Sequence, residues 1–195
     1  MTFVSYDSYA SPTIQPSPES LRIAANALFS DIFSNNPSSA LLTHFSRSHP
    51  VTIQHAPAGD PYPQSSRLIG LNAVRSYFDL LSTHWHRAET KIHSIQITTP
   101  TSSSTGSSTT ASSPSSSSTS CSNSPCVILT ASVQWTWKCS GNSWREDFTC
   151  VLEYDDFVKV TSFVVRTDSL PETCVLRARD PVLEKPSVPV GRLMV

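Results

Sequence analysis

The sequence has little glycine, 5 residues against 15 prolines, and little charge, 14 basic and 15 acidic side chains in 195. A formal net charge of −1 leaves no basic footprint for a polyanion, so nucleic acid is not an expected partner. No apolar run approaches the ~20 residues that a membrane-spanning helix needs, so no membrane is expected either. The opening "MTFVSYDSYASPT" lacks the cationic stretch and apolar run of a signal peptide. Five cysteines (Cys121, Cys126, Cys139, Cys150 and Cys174) form no CxxC pair, which argues against a disulfide framework. A phosphate-binding loop, a dinucleotide glycine motif and GxSxG are all missing. His84 and His86 in "HWH" fall on different faces of a helix, and no other pair has metal-site spacing. The expectation is a soluble protein of a reducing compartment, cytoplasmic with the nucleus as the alternative, carrying no metal and no cofactor.

What is present reads as one domain with tails and an insertion. Residues 1 to 16 are polar, proline-dotted and expected to be disordered. "SPESLRIAANALFSDIFSNNP" supplies a helix, with Ser17 as cap, Pro18 in the first turn and Asn36-Pro37 as the stop. Leu21, Ala25, Leu28 and Ile32 recur at helical spacing along it. A shorter helix, "SSALLTHFS", follows. In "PVTIQHAP" Val51, Ile53 and His55 share one face of a short strand. After a proline-rich loop, Leu71, Val74, Phe78, Leu81 and Trp85 mark a long amphipathic helix, and "AETKIHSIQITT" marks the next strand.

Residues 100–125 are almost wholly serine and threonine. They have no apolar side chains to offset the entropy of ordering and are expected to be a disordered insertion. Strand patterns flank them on both sides, so they interrupt a domain without bounding it. In "CVILTASVQWTWKC", Val127, Leu129, Ala131, Val133, Trp135 and Trp137 point one way. Ser140-Gly141-Asn142 turns the chain, and Trp144, Glu146, Phe148, Cys150, Leu152 and Tyr154 share the apolar face of the return strand. Asp155-Asp156 turns again into "FVKVTSFVVRT", a last strand. The stretch from Leu170 onward shows no pattern and is taken as a C-terminal tail, 170–195. Long strands with one apolar face need a cover, and the helices of the N-terminal half provide it. The expected fold class is α+β, a cone-shaped curved antiparallel sheet wrapped around about three helices.

"IGLNAVRSYFDLL" and "WREDFTCVLEYDDFVKVTSFVVRTDS" resemble the glycine-led third helix and the closing strands of the nuclear transport factor 2-like superfamily, SnoaL-like branch. That branch consists of small fungal and bacterial proteins. The resemblance spans roughly residues 17–169 without the insertion. It implies the cone fold, a pocket inside the cone and homodimers through the open sheet face. It implies no single function, because the superfamily includes isomerases, dehydratases, cyclases and transport factors. The dehydratase pattern of two pocket histidines and an aspartate has no match here.

Strand parity sets Glu146 inward between Trp144 and Phe148, where a raised carboxyl could act as general acid or base. The alternative is a rim carboxylate, solvated or paired with an arginine such as Arg166. His55 is the second acid–base candidate, its alternative a rim histidine bonded to a backbone carbonyl. Trp135, Trp137, Trp144 and Phe148, with Tyr77 as a phenolic donor, would hold a planar hydrophobic ligand, or would simply fill the cone. Two functions remain open. One is a small hydrophobic-ligand-binding protein, either a cofactor-free isomerase, cyclase or dehydratase acting through Glu146 and His55 or a binder without turnover. The other is a non-catalytic protein-interaction module dimerising through its sheet.

Overall fold

The computed structural model describes residues 15–60, 66–99 and 124–180. The N-terminal 1–14, most of the Ser/Thr-rich insertion and residues 181–195 lie outside the described residues, as do the expectations made for them.

Helix α1 (Pro18–Phe33) starts where the sequence says it should. Ser17 Oγ accepts the Ser20 N–H at 3.1 Å, and Pro18, which has no N–H to leave unpaired, occupies the first turn. It buries Leu21, Ala25, Leu28, Phe29 and Ile32. Beyond its end Asn35 takes a left-handed φ of 55°, a conformation asparagine tolerates better than most residues. A short helix α2 (Ser38–Leu41) and a 3-10 turn carry the chain to strand β1 (Thr52–Pro57).

A three-residue strand, β2 (Arg67–Ile69), comes from the stretch read as proline-rich loop. Gly70 then turns the chain with φ 97°, where a side chain would be strained, and its N–H donates to Val51 O at 2.7 Å. Helix α3 (Leu71–His84) buries Val74, Tyr77, Phe78 and Leu81. Trp85 does not extend this helix. It opens β3 (Trp85–Thr98), so Trp85 and His86 are strand residues. Strands β4 (Cys126–Trp137), β5 (Ser143–Tyr154) and β6 (Val160–Thr167) complete one sheet of order β2-β1-β6-β5-β4-β3. All neighbours are antiparallel except β1 and β6, which run parallel and are separated in the chain by α3 and four strands.

Curvature has a local cause in β3. Its register against β4 slips between Ala88 and Lys91 and again between Ile92 and Ser94, and Glu89 adopts φ 45°. Such bulges bend a strand and increase its twist. The curved sheet closes over α1 and α3 without becoming a barrel. Inward residues of β4 and β5 (Val127, Leu129, Ala131, Val133, Cys150, Leu152) are almost wholly buried against the helices. Phe163 of β6 sits at the centre, with its ring within 6.4 Å of Phe29, Phe45, Tyr77 and Phe78.

The C-terminal stretch is not a loose appendage through residue 180. A 3-10 turn (Pro171–Thr173) brings Thr173 O to the Trp144 indole N–H at 2.8 Å, and Cys174 and Val175 are fully buried behind it. Cys126 is disulfide-bonded, while Cys139, Cys150 and Cys174 are free thiols. Among the described residues no helix is long and apolar enough to cross a membrane.

Candidate functional site

The polar residues of the interior come from four elements. β1 presents His55, 5% exposed, on the same face as Val51 and Ile53. β5 presents Glu146, 0% exposed, in register with Val133 of β4. α3 contributes Tyr77, and the end of β6 contributes Thr167. The rim positions considered for Glu146 and His55 are therefore not the ones they occupy, and Arg166 is not the carboxylate's partner.

These side chains meet in one hydrogen-bonded chain. His55 Nε2 lies 3.0 Å from Glu146 Oε1, and His55 Nδ1 lies 2.8 Å from the Tyr77 hydroxyl. The same Glu146 Oε1 accepts the Thr167 hydroxyl at 2.5 Å, and Oε2 accepts the Trp135 indole N–H at 2.7 Å. A buried carboxylate is costly unless donors surround it, and here three do. Trp135 thereby has a polar task that hydrophobic patterning does not reveal.

Burial by itself would depress the His55 imidazole. The neighbouring Cys174 and Glu146 side chains outweigh it and push the pKa up to about 9. At neutral pH the ring is an imidazolium, with Nε2–H donating to Glu146 and Nδ1–H to the Tyr77 oxygen. The Tyr77 O–H proton is then left to point elsewhere. Burial, with the Glu146 charge second, holds that phenol well above its ordinary range, so it stays a proton donor. Burial also opposes ionisation of the Cys174 thiol, but hydrogen bonds to His55 and Thr167 and the imidazolium charge pull it below the usual thiol value.

A ligand atom from each of His55, Glu146 and Cys174 lies within 4.8 Å of the other two, all buried, a donor set of the kind that holds zinc. Both nitrogens of His55 and both oxygens of Glu146 already have protein partners, however, so the cluster is satisfied by the chain itself.

Beside this network lies a cavity of about 40 Å³, lined by His55, Tyr77, Arg87, Trp135, Glu146 and Phe148 together with apolar residues of α1, α3 and β6. It is smaller than the hollow expected from the number of tryptophans, and holds roughly three waters. Trp137 and Trp144 do not line it. They lie with ring centroids 5.5 Å apart at the mouth of the sheet, where an open groove of about 860 Å³ runs between them and the segment containing Pro171 and Arg177. Of the expected ligand-holding residues, then, Trp135, Phe148 and Tyr77 face the same cavity as His55 and Glu146, and Trp137 and Trp144 do not.

Three functional-looking groups escaped the sequence reading. Thr167 is one residue type among many hydroxyls, and Cys174 sits in a stretch without pattern. Arg87 could have been found: it has the same inward parity as Trp85, two residues earlier on β3.

No family model matches this chain, and no curated protein does. Solved structures do. An isomerase candidate from Bacillus subtilis superposes with a TM-score of 0.54 at 12% identity, over 82% of this chain and 95% of that one. An aromatic ring hydroxylase candidate from Novosphingobium aromaticivorans gives 0.52 at 11% identity, covering 80% and 94%. The epoxide hydrolase/cyclase-like enzyme SalBIII, of pyran ring formation in salinomycin, gives 0.51 at 14% identity, covering 78% and 94%. The chain has the nuclear transport factor 2-like cone fold. Within that cone the network of Glu146, His55 and Tyr77 lies on the concave side of the sheet, between the strands and α3. At such identities the likeness establishes the architecture, and what the site does must come from its own geometry.

Proposed function

We propose that this protein binds a small hydrophobic molecule inside its cone and transfers a proton to an oxygen of that molecule, without a cofactor, through the relay Glu146–His55–Tyr77. The observation that carries the reading is the two-sided engagement of His55, bonded at once to a buried carboxylate and to the only phenol lining the described cavity. Tyr77 donates its proton to a ligand oxygen, and the imidazolium, already donating to the phenol oxygen, stabilises the phenolate that develops. Glu146 holds the imidazolium in charge and orientation, as an acceptor buried beside a donor does in acid–base sites. Chemistry of this kind serves isomerisation, cyclisation or epoxide opening, each of which begins by loading an oxygen with a proton. The cyclase-like character of SalBIII, a structural neighbour, is compatible with it.

The test is a panel of small aliphatic epoxides, short enolisable ketones and short oxo acids, sized to the cavity, followed by chromatography for consumption. Wild-type protein should accelerate at least one, and Tyr77→Phe should lower that rate ~100-fold, the low end for loss of a positioned acid, while the fold is retained. Turnover unchanged in Tyr77→Phe, or none by the wild type, would contradict the reading.

The second reading, a homodimerising interaction module, has its own support on the outer face. Ile128, Val151 and Val164 form one cross-strand row there, half-buried in the monomer. A second copy laid on this row would cover it. Sedimentation velocity checks this: a dimer that Val151→Glu dissociates is expected, and a monomer at micromolar concentration would remove the proposal.

A further inference from the structure

Arg87 is the buried charge that the relay does not use. It is 8% exposed and stands on β3 opposite Trp135 of β4. Its Nε donates to Asn35 Oδ1 at 3.0 Å, but Nη1 is buried with no hydrogen-bond partner, and the side chain lines the cavity. A guanidinium remains charged when buried, so it cannot escape the cost of desolvation by losing its proton. A neutral amide oxygen offsets little of that cost. The interior carboxylate, Glu146, is engaged by His55, Trp135 and Thr167. Arg87 and Glu146 lie on strands separated by β4 and two residues apart in register, and no ion pair joins them. The cavity is thus lined both by the relay and by a cation whose Nη1 has no hydrogen-bond partner.

We infer that the ligand of this cavity is a small carboxylate, seated with its anionic oxygens on Arg87 Nη1 and with its other end, which carries the oxygen that Tyr77 protonates, directed toward Tyr77. A neutral carbonyl would satisfy the hydrogen bond but leave the charge uncompensated. A phosphate dianion would need more donors than one guanidinium in an otherwise apolar wall supplies. The volume of about 40 Å³ suits a body of about acetate size without rearrangement, and longer carboxylates need the cavity to widen. This assignment deepens the proton-relay reading and rests on it only for the end of the ligand that faces Tyr77.

The experiment is thermal unfolding of the full chain with acetate, propionate or butyrate, against acetamide, propionamide, butyramide and chloride at matched ionic strength. Carboxylates should raise the melting temperature in a saturable, concentration-dependent way, whereas amides and chloride should not. Arg87→Met should abolish the carboxylate effect, and without ligand it should melt no lower than wild type, because it removes an uncompensated buried charge while keeping volume. Arg87→Lys, a second variant in case methionine is not tolerated, should weaken carboxylate binding at least tenfold. Equal shifts from amides or from chloride, or a carboxylate effect that survives in Arg87→Met, would overturn the inference. Tyr77→Phe should keep the carboxylate effect, and carboxylate binding by a wild-type protein that turns over nothing would count against the relay and not against Arg87.

Discussion

The pH dependence of stability offers a quantitative hold on the interior network. His55 has an unfolded-state pKa near 6.5 and a folded-state value of about 9, so the native state binds its proton more tightly. A raised pKa in a basic group stabilises fully below the unfolded value, and that stabilisation is lost as pH rises through the folded value. The window is therefore pH 6.5 to about 9. Each pKa unit is worth ~1.4 kcal/mol, which puts the full effect at roughly 3 kcal/mol. For a domain whose total stability is of order 5–15 kcal/mol, that is readily seen in urea melts. Other groups titrate in the same range, so the quantity to follow is the difference between wild type and His55→Gln, measured from pH 5.5 to 9.5. The wild-type advantage should be greatest below pH 6.5 and shrink by roughly 3 kcal/mol by about pH 9.5. A difference that stays flat, or grows with pH, would mean that His55 is neutral in the folded protein and that the account of the network is wrong.

Three further substitutions probe separate links. Glu146→Gln replaces an acceptor of three hydrogen bonds with an amide that must turn an N–H toward one of the donors, and it should cost about 3 kcal/mol in chemical denaturation; an unchanged midpoint would show the carboxylate to be dispensable. Leu152→Ala, at a fully buried site on the inner face of β5, should cost roughly 2–5 kcal/mol, and a loss below 1 would mean the sheet is not packed against the helices there. Ser17→Ala removes the cap of α1 and should cost about 1 kcal/mol by the same assay, with no effect at all implying a frayed first turn.

Much of the architecture was legible because it follows from periodicity. Alternation in β4 and β5 put Trp135, Glu146 and Phe148 on the concave face, and the 3.6-residue spacing of Leu21, Leu28 and Ile32 gave α1 its buried side. The parallel pairing of β1 with β6 was not legible, since a six-residue strand carries no mark of its neighbour's direction. Trp85 misled for a physical reason: it continues the apolar spacing of α3 while serving as the first inward residue of β3. Parity alone could bring Glu146 and His55 into the interior, but 91 residues separate them in the chain, and the strand pairing sets His55 beside Val165 and Cys150, so the contact is made by side-chain reach that no pattern shows. The same limit explains Cys174. Its stretch has no repeating pattern because it is held by single contacts, such as the Trp144 indole on Thr173 O, and such contacts leave no period in a sequence.

Selective nitrogen-15 spectra of the histidine rings would test the central claim most directly. His55 should show both ring N–H protons at pH 7, shielded from exchange, and keep the imidazolium signature until the pH approaches 9. A His55 ring that carries a single proton at pH 7, or that titrates at or below 6.5, would contradict a charged histidine wedged between Glu146 and Tyr77.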